Sequence, residues 1–474
     1  MRTLLLNPPS YGGFDGAAGA RYQARREIRS FWYPTWLAYP AGLIPGSRLI
    51  DAPPAGMGVE DVVQQARGYD LIVLNTSTPT LVNDITIAEL LKEHYPDSII
   101  GFVGPHTVVL PEDTLKRSAA IDFVTTGEFD YAVAEIANGI PFNRVDGIAY
   151  RENGKIKRTE NRPPLQDLDA LPFVTDIYAR DLVIEDYYNG YLKHPYVSFY
   201  TGRGCGARCT YCLWPQTISG HVYRVRSPEN VYDEMVNAIR LFPQAKEFFL
   251  DDDTFTDNPS RAMEIAGKFR KLGITWSCNA RANVQKDTLR VLKESGLRLL
   301  TVGVESGNQQ ILNNIKKGTK IGRIKEFVKA TKDLGILVHG AFILGLPGET
   351  AETLEETMRF ALELDPYSIQ VSLVAPYPGT ALYAQALREG WLSGKGDPLV
   401  NNGIQNSTLS YASISSEELF RSVERFYRRF YLRPRPILRI LKEMLQDKHE
   451  FSRRIREGRE FFSFMAKRKE AVST

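Results

Sequence analysis

The chain reads as an α/β protein in three parts. A doubly wound, Rossmann-like sheet covers residues 1–145, a partial (β/α)6 barrel covers 196–400, and a helical basic extension covers 401–474, with a hairpin and linker at 146–195. Three observations predict this layout. Short apolar runs alternate with amphipathic patterns through the first part, as βαβ units do. A second strand–helix beat repeats six times in the middle, with polar residues gathered where the strands end. Beyond 401, aromatics recur at helical spacing among arginines.

In the first part the strand candidates are Thr3–Asn7, Arg48–Asp51, Leu71–Asn75, Ile99–Val103 and Asp122–Thr125, with helical patterns at Val59–Gln65 and Asp84–His94. Such sheets hold ligands at the strands' C-terminal edge. That edge carries Asn7-Pro8-Pro9, Thr76-Ser77-Thr78, Gly104-Pro105-His106 and Gly127-Glu128. No GxGxxG follows the first strand, which disfavours a dinucleotide. His106 is read as a hydrogen-bonding loop residue. The stretch Arg29–Leu37, with Phe31, Trp32, Tyr33 and Trp36 beside Pro34, fits neither a strand nor a regular helix. It suits either a loop covering a ligand or aromatic packing against the next domain.

Gly147–Arg158 reads as a hairpin turning at Asn153-Gly154, followed by a linker marked by Pro163, Pro164 and Pro172. The barrel strands then end in Asp251-Asp252-Asp253, Cys278-Asn279-Ala280-Arg281, Glu305-Ser306-Gly307 and Gly345–Thr350. The first of them leads into Gly202–Cys212, where Cys205, Cys209 and Cys212 are spaced CxxxCxxC. Three thiolates on one loop suit zinc or iron–sulfur. A structural zinc wants a fourth Cys or His nearby, and Cys278 is far along the chain. Three ligands suit a [4Fe–4S] cluster with one open iron, while a zinc knuckle or redox thiol cluster stays open on spacing alone. Cys278 itself reads as a small buried cysteine, and His339 as a core histidine.

Composition sets further bounds. With 43% apolar and 24% charged residues the chain is an ordinary folded protein. No apolar run is long enough to span a bilayer, and Leu4-Leu5-Leu6 is too short for a secretory signal. Four cysteines, three in one loop, argue for a reducing compartment, so a cytoplasmic location is expected. Residues 421–474 hold 16 Lys/Arg against 7 Asp/Glu within a net charge of +3. This basic, aromatic tail can lie on the inner membrane face or pack on the barrel; no nucleic-acid partner is expected.

The CxxxCxxC loop, with aromatic Tyr211 before its last cysteine, resembles the cluster loop of the radical S-adenosylmethionine (SAM) superfamily. Gly303-Val304-Glu305-Ser306-Gly307 and Gly345-Leu346-Pro347-Gly348-Glu349-Thr350 resemble further motifs of that superfamily, in the right order. The resemblance implies a [4Fe–4S] cluster on Cys205, Cys209 and Cys212, and SAM on its open iron. It also implies reductive cleavage of SAM to a 5′-deoxyadenosyl radical, with flavodoxin or ferredoxin as electron source. SAM contacts are then expected from Tyr211, Asp251 or Asp252 (ammonium), Arg281 (carboxylate), Glu305 (ribose), and Gly345 and Gly348 (adenine). No catalytic residue beyond these is assigned.

The first part resembles the cobalamin-binding domain that precedes the core in one class of these enzymes, although its DxHxxG motif is absent. Cobalamin is thus a third expected cofactor, held without a histidine below the metal, or lost from a vestigial domain. Gly13–Gly16, Ala18–Gln23 and Ser30–Ala38 look like the hopanoid-biosynthesis-associated radical SAM proteins. That implies a hopanoid lipid substrate and ring contraction of the amino-sugar headgroup of glycosylated bacteriohopanetetrol to a cyclitol ether. The alternatives are a cobalamin-dependent C-methyltransferase and a non-catalytic or electron-transfer iron–sulfur protein.

Overall fold

The computed structural model describes residues 1–9, 28, 30–392, 399–400, 404–405, 408–445 and 448–473. Five parallel strands open it: β1 (Thr3–Asn7), β2 (Arg48–Asp51), β3 (Leu71–Asn75), β4 (Ile99–Val103) and β5 (Phe123–Thr125). The hairpin β6 (Ile148–Glu152) and β7 (Lys155–Arg158) continues the same sheet antiparallel, in the order β2-β1-β3-β4-β5-β6-β7. It turns where Asn153 and Gly154 both take positive φ (51° and 73°), a conformation these two residue types tolerate. Alternation along the strands makes two cores. Leu4, Leu6, Ile72 and Leu74 pack on one face, while Leu5, Leu71 and Val73 join a core that runs on into the rest of the molecule. Burial on both faces explains the unbroken apolar runs.

The second sheet is wholly parallel. Its strands are β8 (Tyr196–Phe199), β11 (Glu247–Leu250), β12 (Trp276–Ala280), β13 (Leu297–Glu305), β14 (Leu337–Leu344) and β15 (Ser368–Leu373), in that order across the sheet. No ladder joins β8 to β15, so this is a half-barrel. A short ribbon, β9 (Gly202–Arg203) with β10 (Arg224–Val225), sits between β8 and β11 and brackets the cysteine loop. The helix Ser416–Tyr431 covers the β15 edge. Its Tyr427 hydroxyl accepts from Val371 N (2.9 Å) and its Tyr431 hydroxyl from Ile369 N (3.1 Å), which occupies backbone donors an open edge would leave free.

The aromatic stretch after Ser30 packs between the domains, with Trp32 only half-buried; Arg29 lies outside the described residues. Phe31, Tyr33 and Trp36 are buried, and Thr35–Leu43 is a regular helix. The Tyr33 hydroxyl donates to Tyr196 O (2.7 Å), and the Tyr196 hydroxyl returns a bond to Phe31 O (2.6 Å). Trp36 stacks on Trp214 with ring centroids 5.2 Å apart. Four large rings in six residues thus join the first sheet to the half-barrel.

Candidate active site

The cysteine loop is held rigidly at the half-barrel's C-terminal rim. Gly204 enters it at φ 92°, where a Cβ would meet Val222 O at 2.2 Å, so only glycine fits. The Gln216 side-chain amide donates to the carbonyls of Cys209 (3.2 Å), Thr210 (3.2 Å) and Cys212 (2.7 Å). Thr210 N bonds Ile315 O and Leu382 N bonds Thr210 O, tying the loop to the far side of the rim. All four cysteines are free. Burial, with Asp253 nearby, pushes the Cys205 and Cys212 thiols up, so the apo loop carries protons that metal binding would release. Among the described residues no three His, Cys, Asp or Glu side chains converge as for a single metal ion. A cluster, whose ligands sit on separate irons, fits these three soft donors better than zinc does. Cys278 takes no part: it is fully buried in β12, in register with Leu250 and Leu300.

Beside the loop, Glu305 ends β13 at φ 66° after a register slip between Gly303 and Glu305. Left-handed backbone at a non-glycine residue is strained, and a bulge of this kind re-aims a side chain. The Glu305 carboxylate pairs with Lys317 at 2.7 Å, both groups buried. Burial opposes the Lys317 charge, but Glu305 outweighs it and the ammonium titrates above its usual value. Tyr211 donates to Glu305 as well, and burial together with that carboxylate holds its phenol protonated. Arg281 donates to Lys317 O (2.6 Å). Tyr211, Glu305 and Arg281 therefore meet around Lys317, which spacing alone did not reveal. Gly303 makes room for this pair, since a Cβ there would lie 2.1 Å from Glu305 Oε1 and 2.8 Å from Lys317 Nζ.

The two aspartates separate. Asp251 accepts from Asn279 (3.0 Å) on one side of β11. Asp252, one residue on, accepts from the hydroxyls of Thr201 and Tyr223 (both 2.6 Å) and braces the strand that leads into the cysteine loop. Burial raises its pKa despite these bonds and nearby Arg261. Gly345 and Gly348 take φ of 87° and 90° in a turn closed by Glu349, which accepts from Gly345 N and Leu346 N. A Cβ at Gly345 would touch Leu419 and Val374, and one at Gly348 would touch Asn314, so protein packing accounts for both glycines. His339 bonds Ser368 (2.8 Å) and stacks on Tyr191, as a core histidine does.

The first sheet's edge meets this rim. The helix Pro105–Val109, after β4, packs on Leu213–Thr217, the helix that starts right after Cys212. Gly379 makes room, since a Cβ there would lie 2.5 Å from Val109. A buried ion cluster fastens the contact: Arg203 binds both oxygens of Asp130 (2.8 and 2.9 Å), and Arg224 binds both of Glu128 (2.9 and 2.6 Å). The Arg203 guanidinium also lies over Trp36 (4.3 Å) and Tyr39 (4.7 Å). Burial works against the Glu128 charge, but Arg224 and Arg203 outweigh it and hold its carboxyl below the usual range. The Gly127-Glu128 edge position therefore serves the joint between the parts.

Other groups on that edge are left over. Thr125 Oγ1, Thr126 Oγ1 and His106 Nε2 are buried without a partner among the described residues, although His106 Nδ1 bonds Thr78 (3.0 Å). Burial lowers His106 to about 4, so it is neutral near pH 7. Hydroxyls and a neutral imidazole nitrogen can pair with the amide-rich rim of a corrinoid, so this edge fits cobalamin.

Residues 199–361 match the Radical SAM superfamily model and residues 24–137 the B12 binding domain model. Over 459 residues the chain is 28% identical to an uncharacterized methyltransferase of Pyrococcus horikoshii, covering 94% of this chain and 95% of that protein. It is 27% identical to the anaerobic magnesium-protoporphyrin IX monomethyl ester cyclase of Rubrivivax gelatinosus, over 81% of this chain and 70% of that one. Its fold follows that of the radical SAM methyltransferase TsrM from Kitasatospora setae, solved with cobalamin and a [4Fe-4S] cluster; the TM-score is 0.69 at 14% identity, with both chains covered in full. The protein is a radical SAM enzyme of the cobalamin-dependent family, with a B12-binding domain ahead of a half-barrel and with a [4Fe–4S] cluster, SAM and cobalamin as its cofactors.

Proposed function

We propose that the protein is a cobalamin-dependent radical SAM C-methyltransferase. The observation that carries this reading is the direct packing of Leu213–Thr217, next to the cluster cysteines, on Pro105–Val109 at the B12-domain edge. Methyl transfer to carbon needs both cofactors close to one substrate. The relative matched over nearly its whole length is named a methyltransferase, which supports the same choice.

Bound cobalamin would supply a methyl carrier and the reduced cluster an electron for SAM cleavage. The chain's own groups have simpler tasks. Cys205, Cys209 and Cys212 hold the cluster, with Gln216 fixing their loop. Glu305 would turn from Lys317 to the ribose hydroxyls, Arg281 would pair with the methionyl carboxylate, and Asp251 would take the ammonium. Tyr211 would hold the Glu305 carboxylate in place.

Ring contraction of a hopanoid headgroup is the weaker reading. Gly13–Gly16 and Ala18–Gln23 lie outside the described residues, and within Ser30–Ala38 the buried Phe31, Tyr33 and Trp36 pack between the two domains. Anaerobic turnover of the reconstituted enzyme with methyl-labelled SAM separates the two. On amino-sugar-bearing bacteriohopanetetrol, or on another acceptor found by screening, methyl transfer gives a labelled product one methylene heavier, together with S-adenosylhomocysteine. An unlabelled isomer of the substrate with altered fragmentation would overturn the proposal in favour of ring contraction.

A further inference from the structure

The described chain ends in two helices, Pro434–Met444 and Lys448–Ser473, that pack on each other and contribute nothing to the site above. Among the described residues, eight of the 15 exposed large hydrophobics lie between Leu432 and Phe462, so apolar exposure is concentrated there. In the first helix only Pro436 is buried. Leu438 and Leu441, with Leu445 just past its end, recur one turn apart and are 65%, 49% and 87% exposed. The second helix adds Phe451 and Phe462, 49% and 64% exposed. Arg435 and Lys442 are exposed beside the first stripe and Arg459 beside the second. Soluble surfaces rarely gather so many apolar side chains in one place without a partner.

Under this hairpin lies a cavity of about 350 Å³. Trp32, Tyr191, Ile369, Tyr427, Ile440 and Phe461 line much of it. It meets β14 and β15 near their first residues, the end opposite the cysteine loop. Its charged wall is self-contained, because Arg454 pairs with Glu443 (2.6 Å) and Glu457 (2.7 Å). The rest of the lining is mostly apolar, with Asn189, His339, Ser368, Gln370 and Arg439 adding polar groups.

We propose that the Pro434–Met444 and Lys448–Ser473 hairpin seats the protein on the surface of an anionic lipid bilayer, with the cavity beneath it taking the hydrocarbon part of a lipid. Charge complementarity selects this occupant over a second copy of the chain. Interfaces between proteins are depleted of lysine, whereas here Lys442 stands exposed with Arg435 beside the leucine stripe, and Arg459 beside Phe462. A headgroup layer accepts both, since lysine and arginine meet anionic lipid while the apolar face enters the acyl boundary. The contact is peripheral: no described helix is long and apolar enough to cross a membrane.

The test is sedimentation of the full-length protein with vesicles of phosphatidylcholine alone or mixed with phosphatidylglycerol. Binding should favour the mixed vesicles and weaken as salt screens the charges. Leu438→Ser with Leu441→Ser should weaken it at least about tenfold, and Arg435→Glu with Lys442→Glu should remove the preference for anionic lipid. SAM cleavage without vesicles checks that each variant is folded. No partition into mixed vesicles, or partition that both variant pairs leave unchanged, overturns the proposal. So does light scattering that shows a dimer of the parent protein lost in the leucine variant, which would make a second copy the occupant. None of these readouts depends on methyl transfer.

Discussion

The two ligand edges of this molecule are built in opposite ways. At the half-barrel rim the charged groups are already paired within the protein: Glu305 with Lys317, Asp252 with Thr201 and Tyr223, Asp251 with Asn279. At the N-terminal sheet edge, the hydroxyls of Thr125 and Thr126 and the second nitrogen of His106 are buried without a partner among the described residues. A ligand reaching the rim must exchange one partner for another, which keeps ionised groups satisfied before SAM arrives. A ligand reaching the sheet edge completes bonds that the apo protein lacks. Neutral hydroxyls tolerate this at modest cost, whereas bare buried charges would not. Between the edges, the Arg203–Asp130 and Arg224–Glu128 pairs fix their separation.

The sharpest way to break the comparison is to remove the rim's chemistry while leaving the sheet edge intact. Cys209→Ala should abolish the cluster's visible absorbance and reduce SAM cleavage to background, while cobalamin retention is unchanged. Next in size is the joint. Asp130→Ala leaves the buried Arg203 guanidinium with only Glu128, at 3.6 Å and already shared with Arg224, and should cost about 3 kcal/mol in chemical denaturation. Arg203→Met with Asp130→Leu should recover much of that loss.

Glu305→Gln keeps the shape but weakens the charged hydrogen bond, and SAM affinity by calorimetry should fall roughly 10- to 100-fold. The pH dependence is smaller. Burial raises Asp84 from an ordinary carboxylate value to about 7. The folded state therefore holds its proton more tightly than the unfolded chain, and that stability is lost as pH rises through 7. Asp84→Asn should remove about 1.4 kcal/mol of the decline in urea stability between about pH 6 and 8. Smallest is Thr125→Val, which should leave the apo protein as stable as before and weaken cobalamin about 2- to 5-fold in an absorbance titration. A loss of apo stability there would mean that the Thr125 hydroxyl already has a partner.

Much of the fold was legible because its signals are local. The parallel strands of the first sheet are three to five residues long and each carries a short apolar run, and burial on both faces makes such runs stand out. The cysteine loop was legible because thiol spacing within eight residues carries the chemistry. The joint was not: Arg203 and Asp130 lie 73 residues apart, and Arg224 and Glu128 lie 96 apart. Nothing near either arginine marks it as buried. Lys317 was missed for a related reason, since a lysine in a loop usually means solvent. The aromatic stretch after Ser30 was visible, but whether it faced a ligand or a domain depended on what lay opposite.

Sequence by itself determined the two sheets, the three-thiol loop and the strand ends where chemistry gathers, because periodicity and ligand spacing act over a few residues. Tertiary structure alone decided which of those strand-end groups are satisfied inside the protein. It left Glu305 sharing its charge with Lys317, and it turned Glu128 from an edge residue into an interdomain anchor. Local pattern can place a side chain on a face, but the partner that sets its charge state arrives from a distant part of the chain.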